Sequence, residues 1–389
     1  MERPLVIVSD VHLSHAGSRE TARALAALVE AHPGAELVVA GDAFGLSSDP
    51  AHRDPIESLL ALLGTYPDLM GSLRRHLERD APVTLIAGNH DAAIARPEVR
   101  SALLAQLELT EGAPLAIEPW FIRRNGVHVE HGHLWDPDNA PAHPLASWSS
   151  LTEPLGVALT RRFVSKYGVW QFAHAHETTL VSGIRRAFRL FGPKAPLLIA
   201  LYLSSSGRLC LETLLDRGLT RERLLGSARL AEAARRAGLD EATLAALLGK
   251  APRPTHTQFR STFLRLYYDR IAAVLGAATG GLGFLLRPTP LRLSMALGSA
   301  AYLAWNVRRS GSRYQNMPVR RLRDGAQVVR ELTAADLVVF GHTHVPESQP
   351  GYENAGSFGY PGTGPGRPFI VLERDGTPRP SRFPWNGSS

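Results

Sequence analysis

The chain has 389 residues, enough for one large domain or two ordinary ones, and its 44% content of hydrophobic residues excludes wholesale disorder. Its single cysteine, Cys210, excludes an intrachain disulfide framework, thiolate metal clusters and iron–sulfur centres, and favours a reducing compartment. The formal net charge is +7, and almost all of the positively charged residues are arginines. This charge favours anionic partners, namely phosphates, nucleic acid or an acidic membrane surface.

The N-terminal stretch, MERPLVIVSDVH, does not resemble an export signal. Its apolar run is too short for a signal peptide, and the small-residue cleavage site is missing. No stretch of the chain reaches the roughly 18 uninterrupted apolar residues of a confident membrane span. We therefore expect a cytoplasmic protein.

Five segments share one design, in which a short apolar run leads into a polar cluster. The runs are short and rich in β-branched residues, as in buried strands. Because ligands bind beyond the carboxyl ends of strands in α/β sheets, we expect the polar side chains to converge. The segments are LVIVSDVH (5–12), LVVAGDAF (37–44), VTLIAGNHD (83–91), VHVEHGH (127–133) and LVVFGHTH (337–344).

Helical patterns lie between the first of these strands and predict an α/β domain. SRETARALAALVEA (18–31) has an apolar stripe and a serine in the N-cap position, and a less regular helical region covers 56–78. Near the C-terminus, PFIVLER (368–374) predicts a last strand, and TPRPSRFPWNGSS (377–389) is typical of a frayed tail.

The strand-and-cluster pattern stops between about 145 and 325, where we predict a helical insertion. It contains a basic amphipathic helix at 176–192, a Ser/Gly break at 204–207 and charged, alanine-rich helices over 208–250. Two uncharged stretches follow, IAAVLGAATGGLGFLL (271–286) and LSMALGSAAYLAWNV (293–307), with glycines that allow close helix packing: Gly276, Gly280, Gly281 and Gly283.

A helix over 271–286 would span only about 24 Å, short of the roughly 30 Å hydrocarbon core of a bilayer. A two-helix hairpin that enters one leaflet is therefore favoured over a full crossing, and we expect a peripheral position on the inner face of the cytoplasmic membrane. The alternative is an ordinary buried helix pair. The arginines that follow suit anionic headgroups: Arg308, Arg309, Arg313, Arg320, Arg321 and Arg323.

The strand ends supply a set of side chains that is typical of a metal centre. Carboxylate, imidazole and amide donors bind Mn, Fe or Zn, and a carboxylate can bridge two ions. In Asp-x-His and His-x-His, extended backbone would direct both side chains into one pocket, and the preceding glycines would allow tight turns. The candidates are Asp10, His12, Asp42, Asn89, His90, His131, His342 and His344.

The blocks DVH, GD, GNHD, HGH and GHTH, in this order, resemble the five signature blocks of the calcineurin-like metallophosphoesterases. The resemblance covers roughly 4–145 and 325–374. It implies a four-layer α/β/β/α sandwich with the site at one edge of the paired sheets. We therefore predict a discontinuous catalytic domain, 1–145 and 325–389, and a helical insertion, 146–324, that serves as a lid or a membrane-associating hairpin.

The resemblance also implies roles for individual residues. One metal ion is held by Asp10, His12 and His344, the other by Asn89, His131 and His342, and Asp42 bridges them. Two ions, with Mn favoured over Fe or Zn, bind the phosphate oxygens and a shared hydroxide that attacks phosphorus in line. His90 stabilises the transition state or protonates the leaving oxygen, and Asp91 orients His90. His133 faces substrate, and Asn354, in a stretch that resembles the strand after the last block, has a structural or substrate-lining role.

Within the superfamily, the blocks resemble those of UDP-2,3-diacylglucosamine pyrophosphatases, which implies a lipid-linked nucleotide as substrate. Two blocks depart from that branch, since GNHD has histidine where the branch has arginine, and HGH replaces HGD. The alternatives are a soluble phosphodiesterase or nuclease and a catalytically silent scaffold. We do not expect nucleic acid as a partner, because basic and aromatic residues are little interleaved. The sequence does not predict an oligomeric state.

Overall fold

A computed structural model describes residues 3–15, 18–48, 53–170, 180–309, 317–362 and 364–384. The start of the helix predicted at 176, Arg313 and the end of the predicted tail lie outside these residues. The chain divides into two compact units, which we describe separately. Unit 1 comprises 1–161, 216–254 and 318–389, and unit 2 comprises 162–215 and 255–317.

The described residues form the following strands, all in unit 1: β1 (Leu5–Val8), β2 (Glu36–Ala40), β3 (Val83–Ile86), β4 (Leu115–Glu118), β5 (Phe121–Arg124), β6 (Val127–Glu130), β7 (Leu337–Phe340), β8 (Glu347–Gln349), β9 (Tyr352–Asn354), β10 (Arg367–Leu372) and β11 (Pro378–Phe383). The five strands predicted to carry polar clusters are β1, β2, β3, β6 and β7.

The helices are α1 (Arg19–Ala31), α2 (Pro55–Leu63), α3 (Pro67–Glu78), α4 (Pro97–Gln106), α5 (Leu155–Leu159), α6 (Leu180–Phe191), α7 (Ala195–Glu212), α8 (Leu219–Ser227), α9 (Leu230–Arg236), α10 (Glu241–Lys250), α11 (Phe259–Arg265), α12 (Tyr268–Leu286), α13 (Pro290–Arg309) and α14 (Met317–Thr333). Ser18 precedes α1 as predicted, but its hydroxyl accepts a hydrogen bond from Ser14 N instead of capping the helix.

The strands form two sheets. The first has the order β11-β10-β1-β2-β3-β4, and β1 to β4 are parallel to one another. The second has the order β5-β6-β7-β9-β8, and β6, β7 and β9 are parallel. Parallel strands are buried on both faces, which explains why β1, β3, β6 and β7 are buried along their whole length.

Three apolar cores define four layers in unit 1. Between the sheets, Ile7 and Val38 of the first pack with Val129 and Val339 of the second. The outer face of the first sheet packs against α1 to α4, and the outer face of the second packs against α9, α10 and α14. The layers are therefore α/β/β/α, and the predicted fold class is confirmed.

Two local predictions were wrong. Residues 378–383 do not belong to a frayed tail, because β11 pairs antiparallel with β10 along six residues and forms the edge of the first sheet. The Ser/Gly stretch at 204–207 does not break a helix, since it lies inside α7. There, the Ser206 hydroxyl lies 3.0 Å from the Tyr268 hydroxyl, so a tertiary contact replaces the expected interruption.

Unit 2 contains a tight hairpin of α12 and α13. A Cβ atom at Gly280 would lie only 2.8 Å from Ala296 N and 2.9 Å from Arg292 O, so the two backbones approach each other at this glycine. Gly276 faces Ser299 in the same interface, whereas Gly281 faces open space. Among the described residues, one helix, α12, has the length and apolar composition that a membrane span requires.

The predicted domain boundaries stay a prediction; residues 216–254 of the proposed insertion lie in unit 1.

Candidate metal centre

Five of the predicted ligands follow strands in a backbone conformation that side chains rarely adopt. The φ angles of Asp10, His12, Asp42, His342 and His344 lie between 51° and 67°. The extended backbone expected for Asp-x-His and His-x-His was therefore wrong, because β1 and β7 end before these residues. Left-handed backbone is costly for residues with a Cβ and is concentrated at functional sites.

The first group of potential ligands joins the two ends of the chain. The Nε2 atoms of His12 and His344 lie 3.1 Å apart, and Asp10 Oδ1 lies 3.1 Å from His344 Nε2 and 3.6 Å from His12 Nε2. Asp10 Oδ2 accepts hydrogen bonds from His342 N and Ser9 Oγ at 2.8 and 2.6 Å, which directs Oδ1 to the histidines. The potential ligand atoms of Asp10, His12 and His344 all lie within 4.8 Å of one another.

The second group consists of Asp10, Asp42 and His131, again with donor atoms within 4.8 Å. Asp42 Oδ2 lies 3.3 Å from His131 Nε2 of the same group and 3.8 Å from His12 Nε2 of the first group. His131 Nδ1 donates to Ala40 O at 3.0 Å, so Nε2 is the ring nitrogen that remains for the centre. Asn89 joins this group, with its Oδ1 3.1 Å from His131 Nε2.

His342 lies beside the second group, with its ring 5.1 Å from that of His131. Its Nε2 lies 3.0 Å from the carboxylate of Asp136, a buried residue that the sequence analysis missed. The signal that could have found Asp136 is its position just after the HGH block, since metal-binding histidines commonly donate to a carboxylate.

His90 has a different partner from the one predicted. Its Nδ1 pairs with the Ser47 hydroxyl, and Ser47 N donates to His90 O at 3.1 Å. The Asp91 carboxylate accepts hydrogen bonds from Gly88 N and Phe44 N, at 2.7 and 3.1 Å. Asp91 thus secures the turn that carries the predicted ligand, Asn89. Ser47 lacked a sequence signal, because it lies in a short 3₁₀ turn between the blocks.

The two predicted substrate residues are both buried. The ring of His133 lies 5.2 Å from that of His131, beside the second group. The Asn354 amide donates to Gly341 O at 2.8 Å and accepts from Gly356 N at 2.9 Å, so it stabilises the loop that carries His342 and His344. These contacts account for a structural role of Asn354, and substrate binding by either residue stays a prediction.

The charges in the cluster are balanced by its histidines. Burial opposes charge at His131, but the carboxylates of Asp42 and Asp10 outweigh burial and raise its pKa to about 10. Burial likewise opposes ionisation of Asp10 and Asp42, but the neighbouring histidines, His131 foremost, lower both pKa values. Burial lowers the pKa of His90 to about 3, so its ring is neutral near pH 7. Two ionised carboxylates thus lie at a site where cations are favourable.

Two glycines make this convergence possible by having no side chain. A Cβ atom at Gly88 would lie 2.1 Å from Asp42 Oδ1, and one at Gly341 would lie 1.8 Å from Ser9 Oγ. Neither glycine has a positive φ, so left-handed backbone is not what requires glycine at these two positions. Close approach of neighbouring strands is what requires them.

The donor set fits divalent metal ions. It consists of imidazole nitrogens and carboxylate and amide oxygens. The Nε2 atoms of His12 and His344 lie 3.1 Å apart, so a proton or a cation must lie between their lone pairs. The family model of the calcineurin-like phosphoesterases matches residues 3–196. No curated protein matches the chain significantly. The chain thus contains a calcineurin-like phosphoesterase domain, and it is a metal-dependent hydrolase that acts on phosphoester bonds.

Proposed function

We propose that the protein is a dinuclear phosphohydrolase that cleaves a phosphate ester or anhydride. Asp10, His12 and His344 would hold one ion, and Asn89, His131 and His342 would hold the other. Asp42 would be a ligand of both. The observation that carries this proposal is the position of Asp42 Oδ2 between His12 and His131.

The metals, with Mn favoured over Fe or Zn, supply the positive charge that binds phosphate oxygens and acidifies a water molecule. The carboxylates of Asp10 and Asp42, which the histidines keep ionised, anchor this charge. The His90 ring lies 5.4 Å from that of His12, within reach of a phosphate bound at the first group. There its neutral ring would stabilise the transition state by a hydrogen bond, or would protonate the leaving oxygen once it has taken up a proton, and Ser47 fixes its orientation.

Metal analysis and a hydrolysis assay test this proposal together. The full chain, purified with Mn²⁺, should contain about two ions and hydrolyse bis-p-nitrophenyl phosphate. His90→Ala should keep both ions and lose about a hundredfold in turnover, whereas His15→Ala, at an exposed position, should behave as wild type. A chain without metal would support a silent scaffold, and unchanged turnover in His90→Ala would remove this residue from the mechanism.

We further propose that the substrate is lipid-linked, such as UDP-2,3-diacylglucosamine, and that unit 2 attaches the protein to an anionic membrane. The charge distribution supports this. Unit 2 contains 15 Lys and Arg against 3 Asp and Glu, a formal charge of +12, although the whole chain carries only +7. The positive charge is therefore concentrated outside the catalytic unit, where anionic headgroups can bind it without competing for the metal centre.

The tip of the α12–α13 hairpin provides the apolar part of this attachment. Leu285, Leu286 and Leu291 are 79%, 87% and 79% exposed, and Leu282 adjoins them at 63%. The Arg292 guanidinium donates to Gly283 O and Arg287 O, which closes the turn beside these leucines. Each leucine would gain about 1.5–3 kcal/mol on full transfer from water to hydrocarbon. The alternative prediction, a buried helix pair, does not agree with these exposures.

Vesicle flotation tests the attachment. The full chain should float with vesicles that contain anionic lipid and less with neutral ones, and salt should weaken the binding. The variant Leu286→Glu with Leu291→Glu should float at least tenfold less. Leu224→Glu, at a leucine 67% exposed in unit 1, serves as the matched control. Equal flotation of the tip variant and the control would refute hairpin insertion.

Hydrolysis assays separate the substrate classes. A preference for UDP-diacylglucosamine in vesicles over soluble phosphodiesters, lost in the tip variant, supports the lipid-linked substrate. Equal turnover of soluble nucleotides by wild type and tip variant would refute it. Salt-sensitive DNA binding together with DNA cleavage would favour the nuclease.

A further inference from the structure

The segment that follows β6 carries two polar residues to which neither the motifs nor the proposed site assign a role. Asp136 is 5% exposed, and its Oδ2 lies 3.0 Å from His342 Nε2. Asn139 Nδ2 donates to the same oxygen at 2.7 Å. On its other side, Asn139 Oδ1 accepts a hydrogen bond from Asn89 Nδ2 at 3.3 Å. Asp136 and Asn139 thus connect Asn89 to His342.

We propose that Asp136 and Asn139 are positioning residues for the second metal ion. This inference rests on the proposed dinuclear function, because it assigns them to the ion held by Asn89, His131 and His342. Asp136 accepts the Nε2 proton of His342, which leaves Nδ1 as the lone-pair donor of that ring. Asn139 accepts from the Asn89 amide nitrogen, which turns the Asn89 oxygen, the ligand atom, to His131.

The amide orientation matters because only one end of an asparagine side chain can bind a cation. If Asn89 turned over, its NH₂ group would face the centre and the oxygen ligand would be lost. Through Asn139 and Asp136, one run of hydrogen bonds fixes the orientation of two ligands that follow strands of different sheets, β3 and β7. Within the described residues, the hydrogen bonds of Asp136 and Asn139 to predicted ligands reach only Asn89 and His342. Their loss should therefore affect one ion and spare the other.

The segment is well anchored. Asp138 N donates to Asp136 Oδ1 at 3.1 Å, and the neighbouring Trp135 donates its indole N–H to Glu130 at 2.8 Å. A Cβ atom at residue 156 would lie 2.3 Å from Asn139 Oδ1, so Gly156 allows the backbone of α5 to pack against the amide. Because these contacts hold the rotamers of Asp136 and Asn139 without a bound metal ion, the two residues can orient Asn89 and His342 before an ion binds.

Calorimetric titration of the metal-free full chain with Mn²⁺ tests the inference. We compare wild type with Asp136→Asn, with Asn139→Ala, and with Asp324→Asn, a control at an exposed carboxylate on α14. Wild type and control should bind two ions. Both variants should bind one ion with wild-type affinity and the other 10- to 100-fold more weakly. In electron paramagnetic resonance, the signal of the spin-coupled Mn²⁺ pair should be weaker in both variants than in the wild type, at metal concentrations that saturate the wild type.

The outcomes separate the two proposals. Fewer than two ions in the wild type would overturn the dinuclear function itself. Two ions in the wild type and unchanged affinities in both variants would overturn only the positioning role. An equal loss of affinity for both ions would also overturn the positioning role, because a general structural defect has that effect. Thermal unfolding of each metal-free variant monitors folding, and if Asp136→Asn does not fold, Asn139→Ala, at a half-buried position, decides.

Discussion

Replacing Gly88 with alanine should displace Asp42, the proposed bridging carboxylate, without removing any proposed ligand. The new Cβ would lie 2.1 Å from Asp42 Oδ1 and 2.4 Å from Asp42 N, whereas ordinary contacts begin near 3.4 Å. Asp42 and the β3 turn must therefore separate by about 1.3 Å. Backbone atoms of Asp42 take part in the clash, so a rotamer change alone cannot relieve it. The hydrogen bond from His90 N to Asp42 Oδ1, at 2.8 Å, would be lost as well.

A displacement of about 1 Å at a catalytic centre costs on the order of a hundredfold in rate, and overpacking of this kind costs about 1–3 kcal/mol in stability. We therefore expect Gly88→Ala to lose roughly two orders of magnitude in turnover of bis-p-nitrophenyl phosphate, together with part of its bound metal. Metal content is measured by mass spectrometry after gel filtration, and the free energy of unfolding is measured in urea on the metal-free chain.

Gly249→Ala is the matched control, since it adds the same methyl group within α10 where nothing lies within 4 Å. Alanine is favoured over glycine in a helix by about 0.8–1 kcal/mol, so this variant should be slightly more stable and fully active. Wild-type turnover and two bound ions in Gly88→Ala would refute the close-packing argument, because they would show that the strands tolerate the separation.

The remaining predictions concern orientation, metal and pH. Ser47→Ala should keep its metal and lose about tenfold in turnover, and Ser47→Thr should recover it; equal turnover of all three proteins contradicts the pairing with His90. Removal of metal with EDTA should lower the melting temperature, because ions bound only to the folded chain stabilise it by about 2.7 kcal/mol at a hundredfold excess over Kd; an unchanged melting temperature contradicts a resident metal. Burial lowers the pKa of His143 from 6.5 to about 4. The neutral ring should therefore contribute its full share to the free energy of unfolding above pH 6.5, and this contribution should be lost as the pH decreases to 4. The loss should be roughly 1–2 kcal/mol, since the ring is not fully desolvated. In urea unfolding, His143→Asn should show a smaller decline over that interval, and an identical decline refutes this assignment.

The strands and helices of unit 1 could largely be predicted because their signal is local. Short β-branched runs before polar blocks identified β1, β2, β3, β6 and β7, and the order of the blocks indicated which side chains converge. The edge strand β11 was missed because PRPSRF lacks an apolar alternation. Its pairing depends on β10, to which Arg367↔Phe383 and Leu372↔Pro378 give the register. Prolines are tolerated there because an edge strand has one unpaired side.

At the candidate site, the blocks indicated ligand types but not what holds them. Asp136, Asn139 and Ser47 contact His342, Asn89 and His90 but lie outside the sequence blocks, so the blocks alone did not reveal them. The left-handed backbone of Asp10 and His344 was missed for a related reason. It is imposed by contacts such as His342 N to Asp10 Oδ2, between residues far apart in sequence. Substrate preference was beyond the motifs, because the apolar surface that we propose for lipid binding lies in unit 2.

The proposed metal centre brings together His12 and His344, which lie near opposite ends of the chain. A chain still on the ribosome has Asp10, His12 and Asp42 early, but the first ligand group is incomplete until residue 344 has been added and has emerged. A fragment truncated before β7 lacks two imidazoles of the centre at once. The proposed metal centre can therefore assemble only late in translation, after residue 344 has been made.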